Sequence, residues 1–108
     1  MHLIATTDSE GQRITVAESR LDAAVATEFK DAMRRAMQGG QGPVTLDLGQ
    51  VLFMDSSGLG AVIAVLKAMP QGRALRLCGL TPNVVRVFHL TRMDSVFTIL
   101  DAAPAGKA

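Results

Sequence analysis

The hexapeptide Asp55-Ser56-Ser57-Gly58-Leu59-Gly60 concentrates the groups of this sequence that could do chemistry. It follows a short apolar run, Val51-Leu52-Phe53-Met54, and opens a helical pattern. A carboxylate and two hydroxyls therefore fall where a strand gives way to a helix. The first N–H groups of a helix have no acceptor within it and favour hydroxyl oxygens, carboxylates and phosphates. Two readings follow. Asp55, Ser56 or Ser57 caps the helix and does nothing more, or the same groups serve a binding event outside the fold.

The helix behind the motif bears on that choice. On a helical wheel Leu59, Val62, Ile63 and Leu66 share one face, which suits packing on a sheet. Gly60, Ala61, Ala64 and Ala68 gather on the opposite side, relieved mainly by Lys67. Solvent faces normally carry more charge than this. Small side chains admit another backbone closely, either a neighbouring helix of the same fold or a partner protein. The pattern leaves both open.

The remaining elements position this segment. Leu3-Ile4-Ala5-Thr6 and Arg13-Ile14-Thr15-Val16-Ala17 are β-type runs around the turn cluster Asp8-Ser9-Glu10-Gly11, a hairpin signature. Asp22 precedes a helical pattern over residues 23–37, with Val25, Phe29, Met33 and Met37 on one stripe and Asp22 as the expected N-cap. Gly39-Gly40-Gln41-Gly42-Pro43 ends that helix. Val44-Thr45-Leu46-Asp47-Leu48 reads as a strand, the helix after the motif runs over about 57–69, and Ala74-Leu75-Arg76-Leu77-Cys78 is the next strand. Thr81 and Pro82 open a third helix, with Thr81 as its expected cap and Pro82 at its first position. Residues 96–100 form a last strand. The order β-β-α-β-α-β-α-β predicts a single α/β domain over residues 1–101, with one mixed sheet and helices packed against it. Residues 102–108 are small and contain Pro and Gly, and are expected to be a flexible tail.

Composition removes several classes of function. A chain of 108 residues is one domain's worth and leaves little room for a substrate cleft. The formal net charge is +1, the charges are scattered, and there is no Trp or Tyr, so a nucleic-acid platform is not expected. Arg34 and Arg35 read as a solvated helix face. One cysteine and two histidines do not make a structural zinc site, and Cys78 reads as a buried, inert thiol. The longest apolar stretch, residues 61–66, is far too short for a membrane span. The N-terminus lacks the pattern of a signal peptide, which makes the cytoplasm the expected location. Met54 stands two residues before Ser56, where a hydrolase elbow needs glycine, and no acid–His–Ser order can be assigned with His2 and His89. No metal or cofactor is expected, and the chain is read as a non-enzyme.

Val44-Thr45-Leu46-Asp47-Leu48, followed by Val51-Leu52-Phe53-Met54-Asp55-Ser56-Ser57-Gly58-Leu59-Gly60, resembles the signature of the STAS domain family of anti-sigma-factor antagonists. Leu77-Cys78-Gly79-Leu80-Thr81-Pro82-Asn83-Val84, then Val87-Phe88, is similar to that family's strand, turn and Ser/Thr-Pro helix start. Leu21-Asp22 matches its Leu-Asp before the first helix. The resemblance implies a sheet of four or five strands with helices mainly on one side. It implies phosphorylation of Ser56, the first hydroxyl after the aspartate, by a serine kinase that doubles as an anti-sigma factor, with a phosphoserine phosphatase reversing the step. Ser57 is then left to cap the helix. The partner surface expected from it comprises Asp22, Asp55, Ser57, Gly58, Gly60, Ala61, Ala64 and Lys67, on a chain that is monomeric in isolation. Ser19 stands where the family often has glycine, and Arg92-Met93 where it often has Gly-Leu. These departures bear on the partner surface and not on the phosphosite. STAS-like domains also serve as accessory subunits of lipid-transport ATPase complexes without phosphorylation, which is the alternative reading.

Overall fold

The computed structural model describes residues 1–100; the tail expected over 102–108 lies outside the described residues. The first hairpin forms as the sequence predicts. Strand β1 (Leu3–Asp8) pairs antiparallel with β2 (Gly11–Val16), and Gly11 closes the turn at a φ of +131°, which a side chain would resist. Two βαβ units and a third crossover follow. They place β4 (Val44–Asp47), β6 (Leu75–Cys78) and β7 (Thr98–Ile99) parallel to β2, giving a five-stranded mixed sheet of order β1-β2-β4-β6-β7.

The register explains where the core lies. Ile14, Leu46, Leu77 and Ile99 are aligned across four strands, and the first three are fully buried. Phe29 and Met33 of helix α1 (Ala26–Met37), Leu59, Val62 and Val65 of α2 (Ser56–Lys67), and Val84 and Phe88 of α3 (Pro82–Leu90) complete that core. Phe88 meets Phe97 edge to face at 5.5 Å, a favoured aromatic geometry. Cys78 is fully buried, and burial pushes its thiol pKa up, with Asp47 adding to the effect. It is protonated and inert.

Two short strands went unread in the sequence. Strand β3 (Arg20–Leu21) and β5 (Phe53–Met54) pair in parallel as a separate two-stranded ribbon. Two-residue strands show no periodicity to detect. Helix α1 starts three residues later than expected, with Val25 at its N-cap position and no side-chain cap. The Asp22 carboxylate instead accepts from Ala24 N at 3.1 Å and pairs with Arg20 at 2.9 Å, which holds residues 22–24 in a turn. Thr81 also fails to cap α3. Its hydroxyl donates to the Val51 carbonyl at 2.6 Å and ties the α3 entry to the segment before β5. The last strand shrinks to two residues because a 3-10 turn at Met93–Ser95 takes up the chain before it.

Candidate functional site

Asp55 is the N-cap of α2. One carboxylate oxygen accepts from Gly58 N at 2.9 Å and the other from Ala23 N at 3.2 Å. These N–H donors, the Gly58 bond foremost, hold its pKa below the ordinary carboxylate value, so Asp55 is ionised at neutral pH. The expectation that Ser57 caps the helix is corrected, because the carboxylate one residue before the serines already takes the free N–H. Ser56 is therefore the first helical residue. It is exposed, and so is Ser57, with neither hydroxyl held in a cap.

The support under this corner is built from β3 and β5. Asn83 Oδ1 accepts from Met54 N at 2.9 Å, and Leu52 N and Phe53 N both donate to the Ser19 carbonyl. The Arg20 guanidinium lies over the Phe53 ring at 5.4 Å while paired with Asp22. Arg20, Leu52, Phe53 and Asn83 were not singled out in the sequence. Leu52 (65%) and Phe53 (41%) are exposed apolar side chains in the segment that leads into Asp55 and Ser56. Four apolar residues in a row, Val51-Leu52-Phe53-Met54, carry no alternation that would tell which of their side chains face solvent.

The structure brings Asp22, Asp55, Ser56, Ser57 and Gly60 toward one corner. Asp22 and Asp55 bind the consecutive N–H groups of Ala24 and Ala23. Two members of the expected partner surface are instead internal. Gly58 is buried, and a Cβ there would collide with the Leu21 carbonyl oxygen. Ala61 is 3% exposed. The reason is that α2 packs against both α1 and α3, so it buries more than one stripe. Val65 is buried in consequence, while Ile63 and Leu66 are only half-buried. Gly60 is exposed with open space around it, and Ala64 is half-buried in the groove beside α1. Lys67 is exposed at the far end of α2, about 16 Å along the axis from Ser56, and is not part of the Ser56 corner.

A family model described as "Mlab, STAS domain" matches residues 5–101, nearly the whole chain. This chain belongs to the STAS domain family. BtrV of Bordetella bronchiseptica, a candidate anti-sigma factor antagonist, is 29% identical over 100 residues that cover 92% of this chain and 86% of BtrV. An anti-sigma-factor antagonist (STAS) domain protein from Planctomyces limnophilus superimposes with a TM-score of 0.81 at 24% identity, over 95% of this chain and 92% of that one. SpoIIAA, a Bacillus cell fate determinant, shares the fold in its unphosphorylated form (TM-score 0.69, 22% identity, 96% and 90% coverage). Its phosphorylated form matches almost equally (TM-score 0.67, 21% identity, 96% and 94% coverage). Among the described residues no helix is long and apolar enough to cross a membrane, and no cluster of His, Cys, Asp and Glu has the arrangement of a metal site.

Proposed function

We propose that this STAS domain is an anti-sigma-factor antagonist that works by partner switching. The unphosphorylated chain binds an anti-sigma factor that is also a serine kinase. Phosphorylation of Ser56 ends that binding, and a phosphoserine phosphatase restores it. The observation that carries the reading is the division of labour at the start of α2. Asp55 performs the capping, which leaves the exposed Ser56 hydroxyl without a structural task.

Electrostatics supports a switch at the surface and not within the fold. A phosphate on Ser56 adds about −1.5 to −2 charges. The helix N-terminus favours it by roughly 0.3–2 kcal/mol, and the ionised Asp55 beside it opposes it. These effects oppose each other, so the fold has little reason to change. The nearly equal likeness of this chain's fold to the two forms of SpoIIAA fits that expectation. A partner that covered the Ser56 corner would have to desolvate a new dianion next to Gly60, Leu52 and Phe53. A loss of about 3–4 kcal/mol there lowers affinity several-hundred-fold.

The chain acts here by binding and not by catalysis. His89 lies at the end of α3, with Nδ1 3.2 Å from Asp94, and His2 precedes β1, where its N–H donates to Glu18. Neither ring makes a hydrogen bond to Ser56 among the described residues.

The test is to immobilise wild-type, Ser56→Ala and Ser56→Asp protein, capture partners from the native cell, and map phosphate after incubation with ATP. Wild type and Ser56→Ala are expected to retain an ATP-binding serine kinase that Ser56→Asp releases, with phosphate found on Ser56 alone. Equal retention of one transporter ATPase by all three proteins, without phosphate, would replace this reading by the accessory-subunit one.

A further inference from the structure

The five-stranded sheet ends on two edges of different character. Strand β7 is two residues long and offers little to pair with. Strand β1 is six residues long, and residues 4–8 are all exposed. It has no proline, and no Asp, Glu, Lys or Arg before Asp8, although such residues usually blunt an edge. Hydrogen bonding fixes which of its backbone groups are free. Ala17 N donates to the His2 carbonyl at 2.9 Å, and the register continues from that pair through Ile4↔Thr15 and Thr6↔Arg13. The alternation of an antiparallel ladder then turns the backbone groups of His2, Ile4, Thr6 and Asp8 toward β2. It turns the N–H and C=O groups of Leu3, Ala5 and Thr7 outward, and these have no partner among the described residues.

The outward row is complementary to itself. An antiparallel copy centred on Ala5 places Leu3 opposite Thr7, Ala5 opposite Ala5 and Thr7 opposite Leu3, which uses every outward group. A slip of one residue sets outward groups against inward ones, and a slip of two loses one of the three pairs. The side chains agree with the centred register. Ile4 falls opposite Thr6 of the second copy, and His2 opposite its Asp8, in the non-hydrogen-bonded pairs where side chains come closest. Asp8 spends one carboxylate oxygen on Glu10 N at 2.8 Å, and the other is free among the described residues to accept from an imidazole N–H. Like charges do not face each other across this seam. Ile4, 46% exposed, comes near its own copy across the axis. Ala5 and Thr7 share the helix side of the sheet with Ile14 and Gln12 yet are exposed, so α1 does not overhang the edge.

We propose that β1 is a self-association edge, through which two copies of this chain pair about a two-fold axis at Ala5 and join their sheets into one. This stands against the monomer expected from the resemblance. The pairing uses no residue of the Ser56 corner, so it holds or fails apart from the partner switch.

Sedimentation equilibrium of the whole chain at up to about 1 mM tests this, a range in which a weak interface is populated. Wild type is expected to reach twice the mass of one chain. Ala5→Pro removes an N–H that points away from β2, a place where an edge strand tolerates proline, and should stay monomeric throughout. Ile4→Lys sets two like charges near the axis and should weaken association at least about tenfold. Circular dichroism and the urea midpoint check that both variants fold. A wild-type chain that is monomeric at the highest concentration overturns the proposal. A dimer that folded Ala5→Pro or Ile4→Lys leaves intact overturns it as well.

Discussion

The two sides of α2 each carry a glycine, two residues apart, and the surroundings of the pair differ completely. On the inner side a Cβ at Gly58 would run into the Leu21 carbonyl of β3. On the outer side a Cβ at Gly60 would meet nothing within 4 Å. Packing therefore accounts for Gly58. Gly60 sits in a helix interior where alanine would serve the fold better, so no contact within the described residues asks for a glycine there. Residue type alone does not separate the two roles; the contact each position makes does.

The largest effect should come from Gly58→Ala. Backbone cannot step aside as a flexible side chain can, so either β3 or the start of α2 must shift. A loss of about 3 kcal/mol is expected, seen as a lower urea midpoint at unchanged slope. A loss under about 0.5 kcal/mol would mean that the β3–α2 contact is loose and that the comparison fails on its inner side.

Gly60→Ala should go the other way. Helix propensity predicts a gain of about 0.5–1 kcal/mol, while, if the proposed partner surface includes Gly60, affinity for the proposed kinase partner falls because the added methyl would stand in the contact. A more stable variant with undiminished binding would show that the outer side near Gly60 is not a contact, and would confine the partner surface to Ser56, Leu52 and Phe53.

The same pair shows what could be read in the sequence. The hairpin, the three helices, the mixed sheet and the burial of Cys78 follow from periodicity and turn chemistry, which are local. Gly58 and Ala61 were placed on the partner surface because a helical wheel assumes one buried stripe, whereas α2 packs on two neighbouring helices. Asp22 and Thr81 were read as caps from their positions. Both are drawn away by partners distant in sequence or by an ion pair: Ala23 N goes to Asp55, Asp22 to Arg20, and Thr81 to Val51. The β3–β5 ribbon and the exposure of Leu52 and Phe53 rest on tertiary pairing between short segments, which single-sequence patterns do not carry.

Asp55 links the two sides, since it caps α2 from the outer corner and also holds Ala23 in the turn that precedes α1. Its folded pKa is depressed, so its contribution to stability is fully present above the ordinary carboxylate pKa and is lost as pH falls through the folded value. Asp55→Asn keeps an acceptor at the cap but removes the titration. The wild-type protein should be the more stable of the two at neutral pH, and that advantage should shrink below about pH 4. Parallel pH profiles for the two proteins would mean that Asp55 is not ionised through its N–H bonds and that Ser56 is not relieved of the capping task.

Ser56→Ala should have the smallest effect on stability, and its smallness is informative. A serine that caps a helix loses about 0.5–2 kcal/mol when replaced by alanine. An exposed serine at the first helical position, with the cap supplied by its neighbour, should change stability by less than about 0.5 kcal/mol. Urea unfolding of Ser56→Ala and Ser57→Ala side by side separates the cases. If both leave the midpoint in place, neither hydroxyl serves the fold, and the reason for a serine at position 56 lies with a partner. If Ser56→Ala alone costs a cap's worth, the serine shares the work of Asp55, and the outer side of α2 has as internal an explanation as the inner one.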